Sequence, residues 1–169
     1  MPIRPWRFVV LPLVWPTLFA AMLALSACGG SRTSTGLIKR VNPPSASLER
    51  LAATDPAAPV RLAVRMQNFS TVATRFERIE AAIGIDGWPA GQLVASPGIE
   101  IPGLSSDVIE IDWSPTADER TRIDAAARGG RALRYRLEGT IETSEPSGTF
   151  EFEFESRLTP VPGRPGEFR

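Results

Sequence analysis

From Ser45 onward, apolar and polar residues alternate along most of the chain. The apolar residues recur at every second position in five runs: Val60 to Met66, Ile79 to Ile85, Ile109 to Trp113, Leu133 to Ile141, and Phe150 to Phe154. Successive side chains of a strand point to opposite faces, so this period indicates strands with one buried and one hydrated face. Weaker strands are predicted at Ser45–Leu51 and near Gly91–Ala95. About seven strands separated by turn residues predict an all-β fold, an antiparallel sandwich or barrel.

One segment departs from the period of two. Thr116-Ala117-Asp118-Glu119 has the pattern of a capping box, in which Thr116 and Glu119 satisfy each other's backbone N–H groups. Gly129-Gly130 is a helix stop. The pattern predicts one short helix from Ala117 to about Arg128, joining two strands.

The last two strands predict a hairpin of defined register. Matching their apolar faces pairs Ile141 with Phe150 and Leu137 with Phe154, with Ser144–Ser147 as the loop. This register makes Phe152 a core residue and sets Arg136 opposite Glu155. A register shifted by two, with Arg134 opposite Glu155 and a tighter loop, is the competing arrangement.

The segment that ends at Cys28 has the pattern of an export signal. Arg4 and Arg7 precede an apolar stretch from Phe8 to Leu25. The run Leu25-Ser26-Ala27-Cys28 resembles a bacterial lipobox, with small residues at the cut and a cysteine whose thiol takes a diacylglycerol. The resemblance predicts cleavage between Ala27 and Cys28 and lipidation of Cys28. The alternative is an uncleaved transmembrane anchor, although two prolines within the stretch disfavour a spanning helix.

The resemblance also implies a location. Gly29, rather than an aspartate, follows Cys28. By the sorting rule of Gram-negative lipoproteins, this predicts an outer-membrane anchor facing the periplasm. The membrane is the predicted partner through lipidated Cys28, with envelope proteins as further partners through weak surface contacts.

The chain divides into four predicted segments. Residues 1–27 form the signal peptide, and 28–44 a flexible tether rich in Gly, Ser and Thr. Residues 45–158 form the β-sandwich domain, and 159–169 a Pro/Gly-rich tail.

Composition excludes several classes of chemistry. There is no histidine, which removes Ser-His and Cys-His nucleophile pairs and most transition-metal sites. The single cysteine allows no intramolecular disulfide. The chain has 19 basic and 19 acidic residues, and Arg4 and Arg7 lie in the signal, so residues 28–169 carry 17 basic and 19 acidic residues, a net charge of −2. This balance gives no indication of a nucleic-acid partner. We expect no catalytic residues, no metal site and no cofactor.

The order of motifs resembles the WHy (water stress and hypersensitive response) domain of the late-embryogenesis-abundant (LEA) type 2 family. The residues that carry the resemblance are Val60–Asn68, Ile83–Gly87 and Leu133–Gly139, within a region spanning Ser45–Leu158. Asn68 matches the family's turn motif, although Phe69-Ser70 follows where the family has Pro-Asn. The resemblance implies an immunoglobulin- or fibronectin III-like sandwich and a non-enzymatic role in the response to desiccation.

Other candidate sites have simpler explanations. Glu110 and Asp112 share a strand face and could hold a cation, but no further acid lies at a suitable spacing, so a solvated face is the favoured interpretation. Ser105-Ser106-Asp107 has no histidine to complete a triad. Trp88 could contact a partner or lipid, but local packing is the favoured interpretation. The expected function is protective. The alternatives are an envelope binding or assembly module that uses a sheet edge or apolar groove, and a hydrolase, which lacks a catalytic set.

Overall fold

The computed structural model describes residues 38–169. In this part of the chain the strands are β1 (Ser45–Ala52), β2 (Val60–Gln67), β3 (Thr74–Ile85), β4 (Trp88–Ala95), β5 (Ile99–Ile101), β6 (Ser106–Trp113), β7 (Leu133–Glu145), β8 (Ser147–Leu158) and β9 (Glu167–Phe168). Within residues 38–169 there is one helix, α1 (Ala117–Arg128), which connects β6 to β7.

The strands form two antiparallel sheets. The first sheet has the order β6-β2-β1-β9, and the second has the order β4-β3-β7-β8, with β5 beside β4 on the same edge of β3. The buried apolar residues of both sheets belong to a single cluster. The prediction of an all-β, antiparallel, sandwich-like fold with one short helix is therefore confirmed.

The alternation of apolar and polar residues determines which side chains form the core. In β2, Val60, Leu62, Val64 and Met66 are buried, whereas Arg61 is exposed. In β7, four apolar side chains are buried and the charged residues between them are exposed. The two strands that the sequence did not predict, β5 and β9, have three and two residues. An alternating pattern cannot be recognised over so short a run.

The helix begins and ends where the sequence predicts. The Thr116 side chain accepts from the Glu119 N–H, and the Glu119 carboxylate accepts from the Thr116 N–H, which completes the capping box. Ile123 and Ala126 of α1 are fully buried in the core. The helix therefore covers one end of the sandwich.

The last hairpin has the predicted register. Ile141 pairs with Phe150, Leu137 with Phe154, and Arg136 with Glu155. Phe152 is buried, as predicted, but Phe154 is 37 % exposed. The expectation that Phe154, on the same face of β8 as Phe152, is core is wrong, because β8 is the last strand of its sheet and the facing sheet covers Phe154 only partly. The Phe154 ring stacks on Tyr135, with the ring centres 6.3 Å apart.

Two predicted boundaries need correction. The predicted Pro/Gly-rich tail is part of the fold: β9 pairs with β1, and Phe168 is completely buried. Residues 38–42, assigned to the flexible tether, are hydrogen-bonded to the β2–β3 connection. Both segments are held by pairings with distant parts of the chain, which composition alone does not reveal.

A tyrosine joins the two sheets. The Tyr135 hydroxyl of β7 accepts a hydrogen bond from the Leu48 N–H of β1 at 3.1 Å and donates one to the Leu48 carbonyl at 3.2 Å. Leu48 lies next to a register shift in the β1–β2 pairing. Burial raises the pKa of the Tyr135 hydroxyl above its ordinary value, although the Leu48 and Ser156 hydrogen bonds oppose that shift.

The antiparallel order defines two ends of the sandwich. At the helix end lie α1, the β1–β2 connection (53–59) and the β3–β4 turn (86–87). At the opposite end, called the entry end here, lie residues 38–44, the β2–β3 connection (68–73) and the β5–β6 connection (102–105).

Among the residues described, no helix has the length and apolar character needed to cross a membrane.

Candidate functional site

The predicted lipidation and cleavage residues, Cys28 and Ala27, lie outside the described residues. The folded domain itself has four candidate sites: the Asn68 network, an apolar tip, the groove beside Trp88 and the charged face of the second sheet.

Asn68 is the most connected side chain of the entry end. It is 1 % exposed, and its amide nitrogen lies 2.9 Å from the Val72 carbonyl, 3.0 Å from that of Ile101 and 3.2 Å from that of Pro102. Its side-chain oxygen accepts from the Ser70 N–H at 2.9 Å, which forms an Asx turn. Asn68 thus closes the β2–β3 turn and also fixes the segment after β5 to it.

The N-terminal segment is attached to the same turn. The Asn42 N–H donates to the Ser70 hydroxyl, and the Asn42 amide donates to the Phe69 carbonyl at 2.7 Å. The Thr71 hydroxyl donates to the Ile38 carbonyl and accepts from the Arg40 N–H. These bonds hold the first described residues against the entry end.

Four apolar side chains project from this end. We call Ile38, Val41, Phe69 and Leu104 the apolar tip; they are 67 %, 46 %, 42 % and 74 % exposed. Leu104 has a left-handed backbone with φ of 56°, which non-glycine residues rarely adopt. Its N–H donates to the Ser70 carbonyl at 2.9 Å, so it belongs to the same hydrogen-bonded assembly.

A groove crosses the outer face of the second sheet near the helix end. Its volume is about 540 Å³, and its lining includes Ala82 and Gly84 of β3, Trp88 and Gln92 of β4, and Arg136 of β7. Ala82 and Gly84 carry little or no side chain, which leaves space between the larger residues on either side. The groove has both apolar and charged walls, and it is open to solvent.

Trp88 is exposed, but it has a local partner. Its side chain is 58 % exposed, and the Arg122 guanidinium of α1 lies 4.8 Å from the ring centre. This distance is typical of a cation–π contact. The local-packing interpretation of Trp88 accounts for this contact, and the exposed part of the ring lines the groove.

The turn before Trp88 is fixed by charge. Asp86 has φ of 51°, and its carboxylate accepts from Arg131 at 2.7 Å and from the Arg134 N–H at 3.1 Å. Burial acts to raise the pKa of Asp86, but the hydrogen bonds from Arg131 and Arg134 outweigh it, so the pKa lies below its ordinary value.

The outer face of the second sheet carries charges of both signs. Arg136 lies 3.0 Å from both Glu138 on its own strand and Glu153 on β8. On β3, Arg78 pairs with Glu80. All five side chains are about half exposed, so each pair is solvated and contributes little to stability.

The remaining sequence candidates have ordinary surroundings. Glu110 pairs with Arg50 and Asp112 with Arg61, so the two carboxylates are engaged by arginines. Asp107 accepts a hydrogen bond from the Val108 N–H beside it. Within residues 38–169, no three His, Cys, Asp or Glu side chains are grouped closely enough to hold a metal ion.

Comparisons with known proteins bear on the fold alone. No known family's sequence profile matches the chain, and no curated protein sequence matches it. The structure is similar to the solution structure of AT1g01470 from Arabidopsis thaliana, with a TM-score of 0.53 and 13 % sequence identity over 72 % of this chain and 85 % of that one. A crystal structure of a protein from Archaeoglobus fulgidus aligns with a TM-score of 0.40 and 12 % identity over 72 % of this chain and 98 % of that one.

Sequence reasoning missed the apolar tip. Its residues come from three segments that are far apart in the chain, and none lies in a run of alternating residues. One signal was available: Phe69 and Leu104 are isolated large apolar residues in connections where polar and turn-forming residues are usual.

Proposed function

We propose that the chain is a non-enzymatic lipoprotein of the cell envelope whose β-sandwich is a WHy domain of the LEA type 2 family. In this proposal, acylated Cys28 anchors it to the outer membrane, facing the periplasm. The domain protects envelope components during water loss and catalyses no reaction.

The observation that carries the protective role is the charged face of the second sheet. Arginines and glutamates lie beside one another on β3, β7 and β8, and the ion pairs among them are about half exposed. Such a face can exchange its internal ion pairs for weak contacts with charged groups on partly unfolded proteins. These contacts are screened by salt and strengthen when water is withdrawn and the effective dielectric falls.

The test is protection of a labile enzyme through drying or freezing. The mature chain, residues 28–169, is compared at equal mass with an inert globular protein, and recovered activity is measured. We expect higher recovery with the mature chain; equal recovery would refute specific protection.

A matched pair of variants assigns the effect to the face. One variant carries Glu151→Gln, Glu153→Gln and Glu155→Gln on the second sheet. The other carries Asp107→Asn, Glu110→Gln and Asp112→Asn, which removes three exposed acids from β6 of the first sheet. Protection should fall in the first variant and persist in the second, and an equal loss in both would show that total charge alone matters.

A second candidate function is an envelope assembly module. β4 carries no charged residue, and it pairs only with β3 among the described strands. An uncharged edge strand beside a groove is suited to the addition of a partner strand. A photocrosslinker at Val94 of β4 should then capture one envelope protein that the same group at Thr121 of α1 does not.

A further inference from the structure

We propose that the apolar tip, Ile38, Val41, Phe69 and Leu104, inserts into the surface of the membrane that anchors the chain. The proposal rests on the lipid anchor at Cys28 proposed above. It adds an orientation: the entry end faces the lipid, and the helix end points away from it.

The first argument is the exposure of the four side chains. An exposed cluster of large apolar residues marks a site of interaction with a protein or a membrane. Leu104 and Ile38 leave most of their side-chain surface in water. Leu104 also has an unfavourable left-handed backbone, which is not offset by burial of its side chain.

The second argument is that the four residues form one surface. Ser70 accepts from the Leu104 N–H through its carbonyl and from the Asn42 N–H through its hydroxyl. Thr71 binds the Ile38 carbonyl, and Asn42 binds the Phe69 carbonyl. Three segments that are distant in sequence are therefore fixed beside one another, with their apolar side chains exposed.

The third argument is the length of chain between the anchor and the tip. Ile38 follows Cys28 by ten residues, which span at most about 36 Å even when fully extended. The entry end is also the end at which the chain reaches the sandwich. The lipid surface is therefore within reach of the tip, and apolar insertion selects this end over the sides.

Charged groups near the tip fit a headgroup region better than a protein groove. Lys39 and Arg40 lie between Ile38 and Val41 and are exposed, so they can contact lipid phosphates while their neighbours insert. Asp107 and Glu145 are the exposed acids that follow Leu104 and end β7. They can stay in the hydrated headgroup layer.

The experiment measures depth with spin labels. Leu104→Cys and Phe69→Cys are compared with Val94→Cys on β4 and Thr121→Cys on α1, each in the lipidated mature chain reconstituted in phosphatidylcholine vesicles. Acylation blocks the Cys28 thiol, so only the new cysteine takes the nitroxide. We expect the labels at 104 and 69 to be more accessible to oxygen, and less accessible to a water-soluble nickel complex, than the labels at 94 and 121.

Two results would overturn the proposal, and they are distinguishable. If the protein floats with the vesicles but all four labels report equal accessibility, the tip does not insert, although the anchor stands. If the wild-type chain does not float and carries no lipid, the anchor proposal fails and the orientation fails with it. All four substituted positions are exposed, so misfolding of the variants is not expected.

Discussion

Each end of the sandwich is organised by one side chain whose nitrogen atoms lie within hydrogen-bond distance of three main-chain carbonyls. At the entry end Asn68 binds the carbonyls of Val72, Ile101 and Pro102. At the helix end Arg120 of α1 binds the carbonyls of the β1–β2 connection, namely Ala53, Asp55 and Ala58, at 3.3, 2.6 and 3.2 Å.

The two ends differ in access to water. Asn68 is 1 % exposed, and its hydrogen bonds lie at buried or part-buried positions, so water can replace the side chain only poorly. The Asp55 and Ala58 bonds of Arg120 lie at the surface, where water can substitute. The helix end also carries the Arg131–Asp86 pair, whereas the entry end carries the bare apolar tip. The same pattern of side-chain-to-carbonyl hydrogen bonds is therefore largely buried at the entry end and largely exposed to solvent at the helix end.

A core residue in the middle of the sandwich sets the largest expected loss of stability, with which the two ends can be compared. Phe152 is 7 % exposed and lies opposite Gly139. Phe152→Ala should lower the free energy of unfolding by about 3–5 kcal/mol, because it leaves a large cavity. Urea denaturation measures the loss, and a value under about 1 kcal/mol would show that this face is not buried.

Asn68→Ala should have the next largest effect. It leaves three carbonyls and the Ser70 N–H without their partner, and we expect a loss of about 3 kcal/mol in the free energy of unfolding. Asn42→Ala is the control, since its amide makes one exposed hydrogen bond. Its loss should cost under about 1 kcal/mol. Similar losses in the two variants would show that the hydrogen bonds of Asn68 are no better protected from water than the exposed bond of Asn42.

Arg120→Met tests the helix end and should cost about 1–2 kcal/mol, because methionine retains much of the apolar stem but removes the donors. The carbonyl partners of those donors can partly turn to water. Thr121→Ala, on the exposed face of α1, should change the denaturation midpoint very little. If Arg120→Met lost as much stability as Asn68→Ala, the hydrogen bonds at the two ends would be equally inaccessible to water.

The smallest expected effect is a pH dependence at the helix end. The pKa of Asp86 is lowered in the folded state, so its contribution is present above the ordinary value of about 4 and is lost as the pH falls through the folded value. We expect less than about 1 kcal/mol, because the partner Arg131 is largely exposed. Asp86→Asn, which tolerates the left-handed backbone, should remove this part of the acid-induced decrease in melting temperature.

The sequence predicted those parts of the fold that depend on local patterns. Strand alternation, the capping box and the opposed apolar faces of the last hairpin are each contained in a short stretch of neighbouring residues, and each was confirmed. β9 could not be predicted in the same way. Its two residues acquire strand character only by pairing with β1, at the other end of the domain sequence.

The sites follow the same division. The turn at Asn68 is a local feature, and the sequence indicated it. Its three carbonyl acceptors and the assembly of the apolar tip depend on which connections meet at the entry end, and that is set by strand order. Phe154 shows the limit of alternation: the period gives the face of a residue, but not whether a second layer covers it.

The bond between Tyr135 and Leu48 has a consequence for self-association. The exposed main-chain groups of a strand at a sheet margin can template the growth of intermolecular fibrils. β9 pairs with β1 only at Leu51 and Ala52, so it does not cover the edge of β1 at Leu48. There a single phenol occupies both the donor and the acceptor of Leu48, and an invading strand would have to displace it to add at that point. Burial holds the pKa of Tyr135 above its ordinary value. The phenol therefore keeps its proton, and continues to donate to the Leu48 carbonyl, in alkaline solution in which an exposed tyrosine would begin to ionise.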